Sequence, residues 1–87
     1  MKPVINDGII WKKIDENILI FNPETGDLCR LNMTATRIWE LLDENHTTKD
    51  IIDIICSEFK NAETNRVKNG LSKFLKDLEN RRLINWR

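Results

Sequence analysis

The residue types that most often perform chemistry are sparse in this 87-residue sequence, which contains one histidine and two cysteines. His46 stands alone, so a metal site around it would lack further ligands at suitable spacing. Cys29 and Cys56 form no C-x-x-C pair and fall in predicted regular elements, which is typical of buried, reduced thiols. The sequence also lacks a nucleophile motif and a glycine-rich phosphate loop. We therefore expect no catalytic residue, no metal and no cofactor.

Composition and charge narrow the classes of partner. Fourteen basic and fourteen acidic side chains give a formal net charge of zero, whereas proteins held to nucleic acid by phosphate contacts usually carry a positive excess. Hydrophobic residues make up 40% and charged residues 32% of the chain, a balance typical of one small globular domain spanning residues 1–87. The N-terminal segment has no apolar run long enough for a signal peptide or membrane span. We expect a cytoplasmic protein with no nucleic-acid or membrane partner.

The first third of the sequence predicts a three-stranded antiparallel sheet. Short β-type runs are separated by turn formers, which are residues 15–17 after the first run and Pro23 with Gly26 after the second. The predicted strands are Ile9–Ile14, Ile18–Phe21 and Leu28–Leu31. Short connections between such runs predict a meander, in which the third strand lies at an edge.

The rest of the sequence predicts three helices. Asn32 is placed to cap the first, whose apolar residues follow the i, i+3, i+4, i+7 spacing of one helical face. Thr47 and Asp50 have the spacing of a capping box for the second helix. A third helix is predicted over Thr64–Asn80, and the segment "RLINW" is compatible with a short final strand. The predicted fold class is therefore α+β, with a winged-helix-like sheet of three strands followed by three helices.

The tryptophans and the helix pair allow more than one interpretation. Trp39 lies on the apolar face of the first helix and is expected in the core. Trp11 fits either face of the first predicted strand, and Trp86 either covers the sheet or lies at a contact surface. The second and third helices fit a helix-turn-helix, which keeps a winged-helix DNA-binding regulator as an alternative. Acidic residues are interspersed among the basic ones of the third helix, which favours an ordinary solvated face.

An ordered set of short motifs resembles the PqqD-like family, whose members are RiPP recognition elements that bind leader peptides of ribosomally made, later modified peptides. The resemblance covers roughly residues 8–85, and in one departure Arg82 stands where many relatives place glycine. The matching motifs are Leu31-Asn32, Thr34-Ala35, Ile38-Trp39, Leu41-Leu42-Asp43, Thr48 with Asp50-Ile51, Phe74-Leu75 with Leu78, and Leu83-Ile84.

The resemblance implies a binding site made of a strand edge and a helix. In this family a leader peptide adds a strand to the edge of the third predicted strand and lies between that strand and the third helix, which is β-augmentation. The implied backbone ladder is Leu28, Cys29, Arg30 and Leu31. For the helical wall, steps of 100° per residue place four residues on one flank, namely Gly70, Phe74, Asp77 and Arg81.

The two apolar members of that flank have alternative roles. Gly70 either leaves room for a partner or is merely tolerated, and Phe74 is either an anchor or a core residue. The charged members, Asp77 and Arg81, are expected to fix the polarity and register of the peptide.

The resemblance also implies partners for a non-catalytic adaptor. The first is the leader of a precursor peptide. The second is a modifying enzyme: a processing peptidase and an ATP-dependent cyclase in lasso-peptide pathways, or a radical-SAM enzyme in others, including the pyrroloquinoline quinone pathway. A generic protein-interaction module is the remaining alternative.

Overall fold

The computed structural model describes residues 1–87, which form five strands and three helices. The strands are β1 (Pro3–Ile5), β2 (Ile10–Ile14), β3 (Asn17–Asn22), β4 (Asp27–Leu31) and β5 (Ile84–Trp86), and the helices are α1 (Met33–Asp43), α2 (Thr48–Glu58) and α3 (Thr64–Asn80). Strands β2, β3 and β4 form an antiparallel sheet in that order, ahead of the three helices. The predicted α+β class is therefore confirmed.

The three predicted strands are present, with small differences at their ends. One difference is Asn17, which was expected in a turn but begins β3 opposite Ile14. The turn needs only two residues because Asp15 adopts a left-handed conformation with φ of 56°. In the next turn Gly26 has φ of 78°, and its N–H donates to the carbonyl oxygen of Asn22 at 2.8 Å. These two turns set the register of the sheet.

A second, two-stranded sheet joins the two ends of the chain. β1 pairs antiparallel with β5, so Pro3 lies opposite Trp86 and Ile5 lies opposite Ile84. The final strand confirms the expectation for "RLINW", whereas β1 was not predicted. A three-residue strand has too few residues to display a period of two, and its partner is at the far end of the sequence.

The predicted helix starts are confirmed by hydrogen bonds. Asn32 Oδ1 accepts from the Ala35 N–H at 2.9 Å at the start of α1. At the start of α2, Thr47 Oγ1 accepts from the Asp50 N–H at 3.1 Å, and Asp50 Oδ2 accepts from the Thr47 N–H at 3.4 Å. The hydrogen bonds with the Thr47 backbone and side chain lower the pKa of the Asp50 carboxyl, because they favour its charged form.

The end of α3 explains the sequence departure at Arg82. The Arg82 N–H donates to the carbonyl of Glu79 and the Leu83 N–H to the carbonyl of Leu78, the hydrogen bonds of a Schellman motif. Arg82 itself has φ of 60°, the left-handed conformation that glycine usually supplies. The backbone at this position is therefore the one a glycine favours, although the residue is arginine.

Fourteen buried apolar residues form one core between the helices and one face of the sheet. Trp39 is fully buried, as predicted. Trp11 packs edge-on against it with ring centroids 6.3 Å apart, so Trp11 lies on the inner face. Trp86 is half-buried against the core from β5. No helix has the length and apolarity needed to cross a membrane.

Candidate peptide-binding groove

β4 is an edge strand that is fixed along one side only. It pairs with β3 in a register that sets Leu31 opposite Ile18 and Asp27 opposite Asn22, and its other side has no partner strand. An unpaired edge leaves N–H and C=O groups available to an extended peptide. The strand that the sequence predicted as a leader ladder therefore has the required topology.

Thr36 couples β4 to α1. Its hydroxyl donates to the carbonyl of Leu31 at 3.3 Å and accepts from the N–H of Ile18 at 3.0 Å. The side-chain amide of Asn17 also donates to the carbonyl of Leu31 at 2.9 Å. Thr36 is almost fully buried, so these bonds lie in a dry environment where they hold the strand end firmly. The strand whose open edge a peptide would pair with is thus held in place by α1 and β3 on its other side.

The hydrogen bonds also indicate which β4 residues open outward. Leu31 directs its carbonyl toward β3 and Thr36, and the groups of an antiparallel strand alternate between its two sides. Leu31 and Cys29 therefore direct their backbone groups inward, and Leu28 and Arg30 direct theirs to the open edge. Of the four residues predicted to form the ladder, only Leu28 and Arg30 therefore have backbone groups available to an added strand.

An ion-paired cluster spans the gap between the start of β4 and the end of α3. Arg81 Nη1 lies 3.1 Å from Asp27 Oδ2, and Arg81 Nε lies 3.1 Å from Asp77 Oδ2. The hydrogen bond with Asp27, with the nearby charge of Asp77, raises the pKa of the Arg81 guanidinium. The structure thus brings together the predicted residues Asp77 and Arg81 and adds Asp27, which the sequence analysis did not select. Only the tertiary fold places Asp27 beside α3.

Cys29 lies on the inner side of β4, close to this cluster. Burial raises the pKa of its thiol, and the positive charge of Arg81 partly opposes that shift. The protonated thiol is therefore the form expected at neutral pH. Cys29 contributes a small, weakly polar surface between β4 and the end of α3, not a nucleophile.

An apolar cavity of about 480 Å³ lies at the other end of the groove, beyond Leu31. It includes the other two predicted residues, Gly70 and Phe74. Phe74 is half-buried: it packs against the core, and it also lines the cavity, where its role as an anchor stays a prediction. The remaining lining comes from the start of α1, the end of α2 and the first half of α3, and includes Asn32, Ala35, Ile38, Ile55, Ala62, Arg66 and Val67. Sequence spacing within α3 could not reveal the members from α1 and α2.

A larger cleft of about 650 Å³ lies away from this groove and has a different character. Its side chains largely bond to the protein itself. Asn6 donates to the carbonyl of Arg82 at 2.7 Å, and Asn22 donates to the carbonyl of Arg81 at 3.3 Å. We interpret this cleft as structural: its hydrogen bonds attach the N-terminal segment and the turn after β3 to the end of α3.

His46 lies at the connection between α1 and α2, close to the carboxylates of Glu44 and Asp50. Asp50 is already engaged in capping α2. The structure contains no group of three or more histidine, cysteine, aspartate or glutamate side chains that could hold a metal ion.

Comparison with protein-family models identifies the relationship. The model described as "Coenzyme PQQ synthesis protein D (PqqD)" matches residues 17–84, which include β3, β4, all three helices and the start of β5. This chain belongs to the PqqD family. The resemblance inferred from the motifs is therefore confirmed.

Individual proteins that are similar to this chain support the same assignment. The chain is 33% identical over 84 residues to a protein named "PqqA binding protein" from Acinetobacter baylyi, covering 94% of this chain and 81% of that protein. Among solved structures, "TbiB1 in Complex with the TbiA(beta) Leader Peptide" is 31% identical, with a TM-score of 0.91 over 100% of this chain and 98% of that one.

A second structure, "Lasso peptide synthetase B1 complexed with the leader peptide", shares the fold with a TM-score of 0.88 at 17% identity. It covers 99% of this chain and 100% of that one.

Proposed function

We propose that this protein is a non-catalytic adaptor that binds the leader region of a ribosomally synthesised precursor peptide by strand addition to β4. The observation that carries the proposal is the open edge of β4, which runs beside α3 between an apolar cavity and an ion-paired cluster. Membership of the PqqD family supports it, as does the likeness to a relative solved with a leader peptide. The comparisons give no support to a DNA-binding regulator.

The backbone ladder supplies part of the affinity. If a leader pairs with both N–H and both C=O groups of Leu28 and Arg30, about four hydrogen bonds form, each contributing a net 0.5–1.5 kcal/mol. Their sum, roughly 2–6 kcal/mol, does not reliably exceed the cost of association, which is on the order of 4–15 kcal/mol. Backbone pairing alone would therefore bind any extended peptide weakly, and side chains must supply the remainder and the selectivity.

The apolar cavity is suited to supply that remainder. Fully burying one Leu- or Phe-sized side chain stabilises a complex by about 1.5–3 kcal/mol, and a volume of about 480 Å³ has room for such a group. Because side chains of an extended peptide alternate between two faces, every second leader residue beside β4 would turn toward α3. We infer that one apolar leader residue occupies the space beside Gly70 and Phe74.

The ion-paired cluster at the opposite end is suited to fix the register. Asp27, Asp77 and Arg81 are partly exposed, so a charged leader residue can exchange partners with them without burying an unpaired charge. The groove thus has one apolar and one charged end. A leader with an apolar residue and a charged residue several positions apart would be distinguished from its reversed sequence.

The adaptor role requires a second partner, and we propose that it is a processing peptidase together with a cyclase. The names of the relatives concern only the bound peptide, so this choice rests on the family resemblance, which also allows a radical-SAM enzyme. Either kind of partner enzyme would act in the cytoplasm, where precursor peptides are made. Sequencing the neighbouring genes distinguishes them, since a short precursor gene beside peptidase and cyclase genes is expected for the first.

Binding and absence of catalysis are tested with the same precursor. A fluorescent leader peptide from that gene should bind in an anisotropy titration, and a scrambled leader of the same composition should not. Incubation of the full precursor with this protein alone should leave its mass unchanged. Equal affinity for the scrambled leader would contradict the binding proposal, and a change in mass would contradict the non-catalytic one. A DNA gel shift at low salt should be negative.

A further inference from the structure

One ion pair connects α1 to the end of α2. Arg37 Nε donates to Glu58 Oε1 and Arg37 Nη2 donates to Glu58 Oε2, both at 2.8 Å, and these are the only side-chain hydrogen bonds between the two helices. The bond from Arg37 lowers the pKa of the Glu58 carboxyl, so the pair is ionised at neutral pH. Two parallel bonds between a guanidinium and a carboxylate fix both the distance and the orientation of the partners.

This ion pair bridges two walls of the apolar cavity. Arg37 lies three residues after Thr34, and Glu58 lies three residues after Ile55. Residues three apart are neighbours on one side of a helix, and both Thr34 and Ile55 line the cavity, whereas Arg37 and Glu58 do not. The pair therefore sets the separation of the α1 and α2 walls without occupying the space between them.

The turn after α2 extends the wall that the ion pair holds. Phe59 follows Glu58 directly, and its N–H donates to the carbonyl of Ile55 at 3.1 Å. Asn61 then adopts a left-handed conformation with φ of 66°, and both Asn61 and Ala62 line the cavity. The positions of these lining residues therefore depend on where the end of α2 is held.

α1 also connects this wall to the strand edge at which the leader is proposed to pair. Thr36, the residue before Arg37, donates to the carbonyl of Leu31 at 3.3 Å and accepts from the N–H of Ile18 at 3.0 Å. Two consecutive residues of α1 thus bond to the sheet on one side and to α2 on the other. The distance between the backbone ladder and the apolar cavity is set through α1.

We propose that Arg37 and Glu58 are positioning residues for leader binding, which hold the end of α2 at the distance from α1 at which the cavity accepts a leader side chain. This inference rests on the proposed leader binding and adds two residues that do not line the cavity. Apolar packing is non-directional, so without the pair the core persists while the end of α2 becomes less ordered. The leader must then order this wall when it binds, which costs affinity.

The size of the effect follows from the exposure of the pair. The two side chains are 31% and 37% exposed, and partly exposed ion pairs contribute little to stability. Arg37→Gln and Glu58→Gln should therefore stay folded by circular dichroism. Each should weaken leader binding about two- to fivefold in an anisotropy titration, and a fivefold loss corresponds to about 1 kcal/mol.

The double variant distinguishes positioning from a direct effect of charge. If the two residues act as a pair, the variant carrying both Arg37→Gln and Glu58→Gln should lose no more affinity than either single variant. A direct electrostatic effect on a charged leader would instead shift the affinity in opposite directions, because one substitution removes a positive charge and the other a negative charge.

A leader variant tests whether the loss arises at the cavity. An alanine scan of the leader identifies its apolar anchor, and the leader with alanine at that position leaves the cavity empty. Wild-type protein and Arg37→Gln should bind this alanine leader with affinities within about 1.5-fold of each other, because the two changes are coupled through one site.

Lys13→Gln is the matched control. It removes an ion pair of 3.0 Å between Lys13 and Glu40 that joins β2 to α1 and reaches neither α2 nor the cavity. Glu40 keeps a second partner, since Arg37 Nη1 lies 3.8 Å from it. Leader affinity should therefore stay at the wild-type value.

The inference would be overturned by wild-type affinity in both single variants, by shifts of opposite sign, or by additive losses in the double variant. It would also be overturned by an equal loss with the alanine leader, by the same loss in Lys13→Gln, or by unfolding of both single variants. A wild-type protein that fails to bind the leader would instead refute the proposed function.

Discussion

Gly70 leaves space in the wall of the apolar cavity, because a Cβ placed on it would meet no atom within 4 Å. Alanine should therefore stabilise α3, raising the free energy of unfolding by about 0.5–1 kcal/mol in urea denaturation. If the leader packs beside Gly70, the added methyl group should also weaken leader binding by about 1 kcal/mol or more, roughly fivefold. Stabilisation with unchanged leader affinity would mean that glycine is merely tolerated there.

Arg81 joins β4 to α3 through Asp27 and Asp77, so reversing its charge places three carboxylates together. Arg81→Glu and Asp77→Lys should weaken leader binding in an anisotropy titration. Both should stay folded by circular dichroism, because partly exposed ion pairs contribute only about 0–1 kcal/mol to stability.

Glu79→Lys is the control for this pair, since Glu79 lies on another flank of α3 and makes no ion pair. If the control alone weakened binding, the groove would lie on the other side of the helix.

At the scale of single residues, helical periodicity predicted which side chains share a flank. It placed Gly70, Phe74, Asp77 and Arg81 on one side of α3; in the structure Gly70 and Phe74 line the apolar cavity, and Asp77 and Arg81 form an ion pair. Periodicity could not reveal that Asp27 bonds to Arg81, because this contact joins residues that are distant in the sequence. The peptide-binding roles of these residues stay predictions.

Because the backbone N–H groups of β4 alternate between its open edge and β3, proline should have different effects at adjacent positions of this strand. Proline removes a backbone N–H donor, so Arg30→Pro should abolish strand addition while the pairing of β4 with β3 survives. Cys29→Pro removes an N–H that is directed toward β3 and should destabilise the domain itself.

Circular dichroism and leader anisotropy measured on both proline variants separate these effects. The interpretation of this edge would fail if Arg30→Pro stayed folded and bound leader with wild-type affinity.

The left-handed end of α3 offers a stability test. Arg82 adopts φ of 60°, which costs a non-glycine residue about 1 kcal/mol. Its ion pair with Glu24 is largely exposed and contributes little. Arg82→Gly should therefore raise the free energy of unfolding by about 0.5–1 kcal/mol, as measured by urea denaturation. A destabilised variant would indicate that the Arg82 side chain contributes more than its exposed contacts suggest.

The elements with strong local signals were predictable. Asn32 and Thr47 cap their helices through their own side chains, and Gly26 supplies the turn conformation, so these signals need no tertiary context. β1 could not be predicted because its pairing with β5 depends on contacts between the chain ends. The apolar cavity could not be predicted either, because its lining combines residues of three helices that only the tertiary fold brings together.

At the scale of the whole molecule, the three-stranded sheet has three different environments. Its inner face contributes Ile18, Ile20 and Leu31 to the core. Its β4 edge is open toward α3, and its outer face is apolar and uncovered. The β1–β5 ribbon links the chain ends through the reciprocal backbone bonds of Lys2 and Arg87. In this arrangement the core and the paired chain ends support a sheet whose β4 edge is open beside α3.

Amide hydrogen exchange with and without the leader tests strand addition most directly. Backbone N–H groups directed to an open edge exchange quickly and become protected when they donate to an added strand. We predict that leader binding protects the amides of Leu28 and Arg30, while those of Trp11 and Lys13 on the other sheet edge remain unchanged. Binding without protection at Leu28 and Arg30, or with protection at Trp11 and Lys13 instead, would contradict strand addition at β4.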